Sequence, residues 1–321
     1  MLKRYTFIFF FVISLQKIAA TQSGPDSVTV LASHQYKNPT TFKKIFIGSN
    51  YRKEWSTPVT MHLFDIKGNH REFEIVKTGG GDQTTSLHLD DKNERDWVLR
   101  SVDKNIEKVL PPVLRKTFIK KIVQDIISAS YPYAGLTVSY LSNAAKVVTG
   151  SQQLYFVPDD PALGQYRSVM ANRVCILVNR QPVSKNDLET GEMMEKLSED
   201  NLYSVDQKEF LKARLIDWLV ADWDRHAGQL RWLPHEVKGR IFFYPLLRDR
   251  DQAFFYSNGL LVKLVTLFAM PYLKGFKKMS TGIKQLSKKL RKMDEVFLNE
   301  LDRNDWQRII KSFQQNVTNR V

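Results

Sequence analysis

Asp222-Trp223-Asp224-Arg225-His226 is followed about 25 residues later by Arg248-Asp249-Arg250-Asp251-Gln252-Ala253-Phe254. Two acid clusters in this order, with a strand-turn-strand pattern between them, are the parts of a phosphoryl-transfer site. One acid orients an attacking hydroxyl, and another holds the metal that spreads phosphate charge. Asp224 suits the first role and Asp251 the second, with Asp249 as its neighbour. Five residues after Asp224, Gln229 brings an amide oxygen able to ligate the same metal. Aspartates two apart on an extended stretch point to opposite sides, so only one of Asp249 and Asp251 is expected to face the metal directly. Alone, either cluster reads as an ion pair beside a helix cap or as a surface salt-bridge ladder. Their order and the strands between them favour chemistry.

Gly79-Gly80-Gly81 sits between two strand-like runs, where backbone N–H groups can approach phosphates. On the next strand Val98, Arg100, Val102 and Lys104 share a face. Arg100 carries a permanently charged fork suited to phosphate. Lys104 falls about 13 Å further along at ~3.3 Å per residue, past the expected site. Asp125, at the margin of a helix's apolar face, is expected either to pair with Arg100 or to be an ordinary surface aspartate. Gly68-Asn69-His70 reads as a turn, and His226 as a residue that packs and braces the Asp224 loop by hydrogen bonds.

These residues need elements to hold them. Alternation predicts strands over 72–77, 86–89 and 97–102, then 154–157 and 173–178, with a lobe boundary at Asn179-Arg180-Gln181-Pro182. A helix is expected over 112–130, with Phe118, Ile119, Ile122, Val123, Ile126 and Ile127 as its apolar face. Ser204 and Gln207 fit a capping box for a helix running to about Ala221. Its expected core stripe is Phe210, Leu211, Leu215, Trp218 and Leu219. Strands over 229–233 and 241–246 flank a turn from Pro234 to Arg240. From Gly259 on the chain reads as helices, and residues 28–50 give no firm pattern.

The chain has 321 residues, one cysteine and a formal charge of +14. Lys3 and Arg4, an apolar run from Tyr5 to Leu15 and Ile18-Ala19-Ala20 have the layout of an export signal, too short to span a bilayer as a helix. An exported protein seldom meets nucleic acid, so the positive charge points to anionic surfaces or acidic substrates. Residues 274–292 hold eight Lys or Arg and no acid. Phe276, Met279, Ile283, Leu286 and Leu290 recur there at helical spacing, so a helix with one apolar side is expected.

The segments 79–84, 98–104, 157–161, 222–226 and 248–254 resemble the kinase-like region that accompanies calcineurin-like metallophosphoesterases in some exported bacterial proteins. More distantly, Asp224-Arg225-His226 and Asp249-Arg250-Asp251 look like the catalytic and metal segments of CotH, HipA and phosphoinositide kinases. The likeness covers residues 48–255. It implies an α+β, two-lobed, atypical kinase-like fold: a signal over 1–20, a β-rich lobe over 21–181 and a helical lobe over 182–321. It further implies ATP with Mg2+ or Mn2+ as cofactors and a hydroxyl-bearing acceptor, which for an exported protein includes envelope proteins. Gln229 stands where Asn is usual, Arg100 where Lys is usual, and no glycine closes an Asp-Phe-Gly-type triplet. Those departures keep two other readings open, a non-catalytic binding module and a metal-dependent phosphoester hydrolase. The basic run at 274–292 adds an anionic envelope surface as an expected partner.

Overall fold

The computed structural model describes residues 21–24, 26–68, 72–80, 84–107, 110–268, 275–276 and 282–318. The signal expected at 1–20, Asn69, His70, Gly81, and Lys274, Lys277, Lys278 and Met279 of the basic run lie outside them.

In the first half the elements run β1 (Thr21–Gly24), β2 (Ser27–Val30), α1 (Thr41–Phe46), α2 (Arg52–Ser56), β3 (Val59–Leu63), β4 (Phe73–Gly79), β5 (Ser86–Asp91) and β6 (Asp96–Ser101), then α3 (Phe118–Ile126), α4 (Ala134–Ala144), β7 (Gln152–Val157), α5 (Arg167–Met170) and β8 (Arg173–Asn179). The strands form one sheet in the order β1-β2-β3-β7-β8-β6-β5-β4. Within this sheet, among the described residues, β3 and β7 alone pair in parallel.

Because side chains alternate across a strand, this sheet has two different faces. Leu87, Leu89, Trp97, Leu99, Cys175 and Leu177 point to one side and bury themselves with Phe64, Leu163 and Met170. The residues between them, Ser86, His88, Val98, Arg100, Ile176 and Val178, turn to the other side and line a cavity. Period-two patterning thus separates a core face from a working face.

The helix expected over 112–130 is broken into a 3-10 turn at Pro112–Leu114, α3, and a second 3-10 turn at Ile127–Ala129. Phe118, expected on its buried face, is exposed, whereas Asp125 is buried.

The second half runs β9 (Leu188–Glu189), α6 (Thr190–Glu199), β10 (Tyr203–Val205), α7 (Gln207–Leu219), β11 (Leu230–Val237), β12 (Arg240–Leu247), α8 (Leu260–Phe268), α9 (Ile283–Leu286), α10 (Arg291–Phe297) and α11 (Arg303–Asn316). A smaller sheet orders β10-β12-β11-β9. The fold is therefore α+β and two-lobed, with a β-rich first lobe and a mostly helical second one.

Three local expectations change. Helix α7 is capped by Asp206, whose Oδ1 accepts from Lys208 N at 3.1 Å and Glu209 N at 3.0 Å. Ser204 is instead committed to β10, paired with Phe242, so no Ser204–Gln207 box forms. The β11–β12 turn shrinks to Lys238 and Gly239, both at positive φ (52° and 78°), the geometry that tight hairpins need. The single helix expected across 276–290 is interrupted: α9 ends at Leu286 and a turn follows before α10. Ser287 in that turn is held by Trp218 Nε1 at 2.9 Å and by Arg214 Nη2 at 3.3 Å.

The core of the second lobe gathers Phe210, Leu211 and Ile216 of α7 with Trp232, Phe243, Phe297 and Phe313. Leu219, expected in that stripe, is exposed, and α7 buries the charged Arg214 and Asp217 instead.

Candidate functional site

Between the working face of the large sheet and the end of β12 lies a cavity of about 230 Å3. One end is an apolar slot, with Val98, Ile176 and Val178 on the sheet side and Leu246 and Leu247 opposite. The other end is charged, with Arg100, Lys104, Asp249 and Asp251. Gly80 borders it at φ +110°, and a Cβ there would lie 2.1 Å from the Thr84 carbonyl oxygen. Gly79 does not line the cavity; a Cβ on it would strike His88 Nε2 at 2.4 Å. Gly81 lies outside the described residues.

Both Asp249 and Asp251 reach this cavity, against the expectation that only one would. That expectation assumed an extended stretch, but Asp249 adopts a left-handed φ of 48°. The kink sends Arg250 inward, where it pairs with Asp217, and returns both aspartates to the same side. Each meets a cation from the large sheet's lobe. Arg100 pairs with Asp249, and Lys104 Nζ lies 2.7 Å from Asp251 Oδ2. Burial by itself raises the Asp251 carboxyl; the Lys104 ammonium, with Arg100, more than reverses this and leaves it below the usual range.

Lys104 is thus part of the site and not beyond it, because β6 ends at Ser101 and the chain turns. Its backbone N–H donates to Asp103 Oδ1 at 2.9 Å, and its carbonyl accepts from Gln124 Nε2 at 2.7 Å. Asp103 in turn accepts from Ser33 Oγ at 2.7 Å and Tyr36 O–H at 3.0 Å. Burial keeps the Asp103 carboxyl above its ordinary value despite those donors.

Asp125 does not pair with Arg100. It is held by Arg52 Nη2 at 2.5 Å and Lys43 Nζ at 3.0 Å. The physical reason is access: Arg52, from α2, is buried beside α3, whereas Arg100 faces the cavity and finds Asp249. Asp125 therefore braces the outer elements and does not line the cavity.

The loop carrying Asp224 is tied to the acid segment by Arg225, which is fully buried. Its Nη1 donates to the Arg248 carbonyl at 2.5 Å, and its Nη2 to the Asp249 carbonyl at 3.2 Å and Asp222 Oδ2 at 2.7 Å. Its Nε donates to Asp217 Oδ1 at 3.2 Å. Burial alone would raise the Asp217 carboxyl, but Arg250, Arg225 and Arg214 around it hold it below the usual value. For Asp222 burial wins, and its carboxyl is raised. The bracing expected of His226 is done by Arg225; the His226 ring is exposed.

Asp224 stands apart from the cavity lining, partly exposed, in an ion pair with Lys289. Lys289 also sits 5.5 Å from the centre of the Trp223 ring. Gln229 is buried behind the acid segment; its carbonyl accepts from Arg248 N at 2.9 Å, and its side-chain Oε1 has no hydrogen-bond partner. Among the described residues no group of three or more His, Cys, Asp or Glu is arranged to hold a metal. Gln229 does not line the cavity, against the expectation that it would ligate a metal there. Of the three expected ligands only Asp249 and Asp251 do, a donor set compatible with Mg2+, which takes one or two protein carboxylates and completes its shell with water and phosphate.

No protein-family model matches the chain, and no curated protein is significantly similar to it. Among solved structures it is similar to the Rio2 kinase–ADP/Mg2+-phosphoaspartate complex from Chaetomium thermophilum, at 9% identity and a TM-score of 0.31, covering 76% of this chain and 70% of that one.

At the slot end the segment joining the two lobes borders the cavity, and its backbone donors are all engaged. Asn179 N donates to the Ser151 carbonyl at 3.0 Å and Arg180 N to the Asp96 carbonyl at 2.9 Å. Gln181 N donates to Asn179 Oδ1 at 2.9 Å. The polar side chains that line that end include His88, Gln152 and Arg180. The His88 imidazole is held below its usual pKa, by burial first and then by the Arg180 guanidinium, with Asp96 opposing. The sequence offered no signal for the Lys104–Asp251 pair, the Asp103 support or the Arg225 clamp beyond the residue types themselves.

Proposed function

We propose that this protein is a kinase-like, nucleotide-dependent phosphotransferase. The carrying observation is the two-ended cavity: an apolar slot continues into a charged end where Arg100, Lys104, Asp249 and Asp251 meet. In this reading the base lies between Val98, Val178 and Leu246. The Arg100 fork and the Lys104 ammonium then take phosphate oxygens, leaving Asp249 and Asp251 free to hold a divalent metal. A bound metal supplies neutralisation of phosphate charge. Asp224 receives the proton of the acceptor hydroxyl on a carboxylate oxygen, once Lys289 has moved from that oxygen. ATP as the donor, export through residues 1–20 and an envelope acceptor belong to the same proposal.

The test is transfer of labelled γ-phosphate by the purified protein, with Mg2+ or Mn2+, to itself or to envelope fractions. Asp224→Asn and Asp251→Asn should each abolish transfer with unchanged circular dichroism. Transfer retained by both variants overturns the assignment.

A second reading, a non-catalytic nucleotide- or anion-binding module, is favoured by one observation. Every acid offered for chemistry is already paired: Asp249 with Arg100, Asp251 with Lys104, Asp224 with Lys289. Thermal stabilisation by nucleotide that does not depend on metal, together with no transfer, supports it.

A further inference from the structure

Helices α1 and α8 pack together on the outside of the molecule and leave large apolar side chains in water. Phe42, Ile45 and Phe46 of α1 are exposed, as are Leu264, Leu267 and Phe268 of α8, the last two at 71% and 79%. Phe42 and Phe46 stack at 4.4 Å. Of α8 only Val262 is buried, packed near Ala129, Phe255 and Trp223. The two helices are fixed to each other by a close backbone approach: Ser257 Oγ donates to the Ile47 carbonyl at 3.0 Å, and a Cβ on Gly259 would lie 2.3 Å from that carbonyl. Clustered apolar side chains of this kind mark a surface that is covered in use.

Charge selects the cover. Residues 27–53, which contain α1, and residues 252–293, which contain α8, have no Asp or Glu at all. The same two segments carry five and nine Lys or Arg respectively. Lys44 and Lys263 are exposed on the two helices themselves. Asp125 is buried and already paired with Lys43 and Arg52, so the exposed charges on the two helices are Lys44 and Lys263. Apolar side chains flanked by exposed lysines are the composition of an element that lies in a bilayer interface. No described helix is long and apolar enough to cross a membrane, so the contact is peripheral.

We propose that α1 and α8 form a docking surface for an anionic lipid bilayer, with Phe42, Phe46, Leu267 and Phe268 entering the headgroup region. Lysines around them are drawn to the negative surface, an attraction screened over ~8 Å at physiological ionic strength. The inference stands apart from any activity in the cavity.

The experiment is co-sedimentation of the full-length purified protein with vesicles of pure phosphatidylcholine and of an equal mixture with phosphatidylglycerol. Binding is expected only to the mixed vesicles, falling at least tenfold in high salt. The pairs Phe42→Gln with Phe46→Gln and Leu267→Gln with Phe268→Gln replace exposed side chains, so the thermal midpoint should hold while binding drops at least tenfold. Lys44→Gln with Lys263→Gln should weaken binding and flatten its salt dependence. Equal binding by the apolar variants overturns the proposal. So does failure of the wild type to sediment with mixed vesicles, or a dimer in solution that the same apolar substitutions dissociate in place of any vesicle binding.

Discussion

Lys104 Nζ lies 2.7 Å from Asp251 Oδ2, joining the two lobes across the charged end of the cavity. Lys104 is 6% exposed, so the pair is desolvated on one side. Lys104→Met should leave Asp251 partly buried without its cation. The expected loss is about 1–2 kcal/mol, below the ~3–5 kcal/mol of a fully buried pair because the Asp251 side chain still reaches solvent. The sign with pH follows from the lowered Asp251 pKa. A depressed carboxyl gives stability that is present above its unfolded pKa and lost as pH falls through the folded value. Wild type should therefore lose more stability than Lys104→Met between pH 5 and the acid limit, read by urea melts at several pH values; equal losses would contradict the pairing.

Arg225 should be among the least replaceable residues in the chain. Removing it leaves Asp217 and Asp222 buried with less compensation and frees the Arg248 and Asp249 carbonyls. Arg225→Ala should cost about 3–5 kcal/mol, measurable by chemical denaturation. Arg225→Lys should recover little, since a single ammonium cannot make four differently directed contacts.

Gly80→Ala should destabilise by roughly 1–3 kcal/mol, because its φ of +110° is strained for any side chain and the new Cβ meets the Thr84 carbonyl. Gly79→Ala should act differently, displacing the His88 ring and so weakening ligand binding at the slot more than it lowers the thermal midpoint. Calorimetry and thermal melts on the two variants separate these outcomes.

If the cavity takes a nucleotide, discrimination between ATP and GTP should be weak, within about tenfold. A site that rejects a base strongly does so with dedicated hydrogen-bond groups left unpaired by the wrong ligand. Here the backbone donors of Asn179, Arg180 and Gln181 are already used. Of the side chains His88, Arg180 and Gln152 at that end, the first two are engaged with Asp96, which leaves Gln152 as the uncommitted one of the three. Competition titrations of the two nucleotides check this; a hundredfold preference would contradict it.

Five strands of the large sheet, β4 to β8, were legible because burial on one face imposes period two, as in the runs around Leu87 and Leu89, and Cys175 and Leu177. The short β1, β2 and β3 were not, since a run of four or five residues repeats that period barely twice. The acid clusters were legible as types in order, and so was the two-lobed α+β architecture. What escaped were facts carried by single dihedrals or by distant partners. Nothing in Arg-Asp-Arg-Asp states that Asp249 turns left-handed, yet that one angle decides which aspartates share a side. Arg52 claims Asp125 across 73 residues of sequence, and Lys104 reaches Asp251 across 147; neither spacing leaves a periodic trace. Asp206 outcompeted Ser204 as a cap because β10 had already taken Ser204 into a ladder.

The segment from Asn179 to Gln181 has a mechanical meaning. Its three N–H groups are bound within the protein, the Arg180 carbonyl accepts from Arg248 Nη2 at 2.9 Å, and Thr149 bridges to Leu247 just beside it. Such a connection behaves as a strut and not as a hinge. Swinging the lobes apart would break several hydrogen bonds at once, so the mouth of the cavity keeps a nearly constant width.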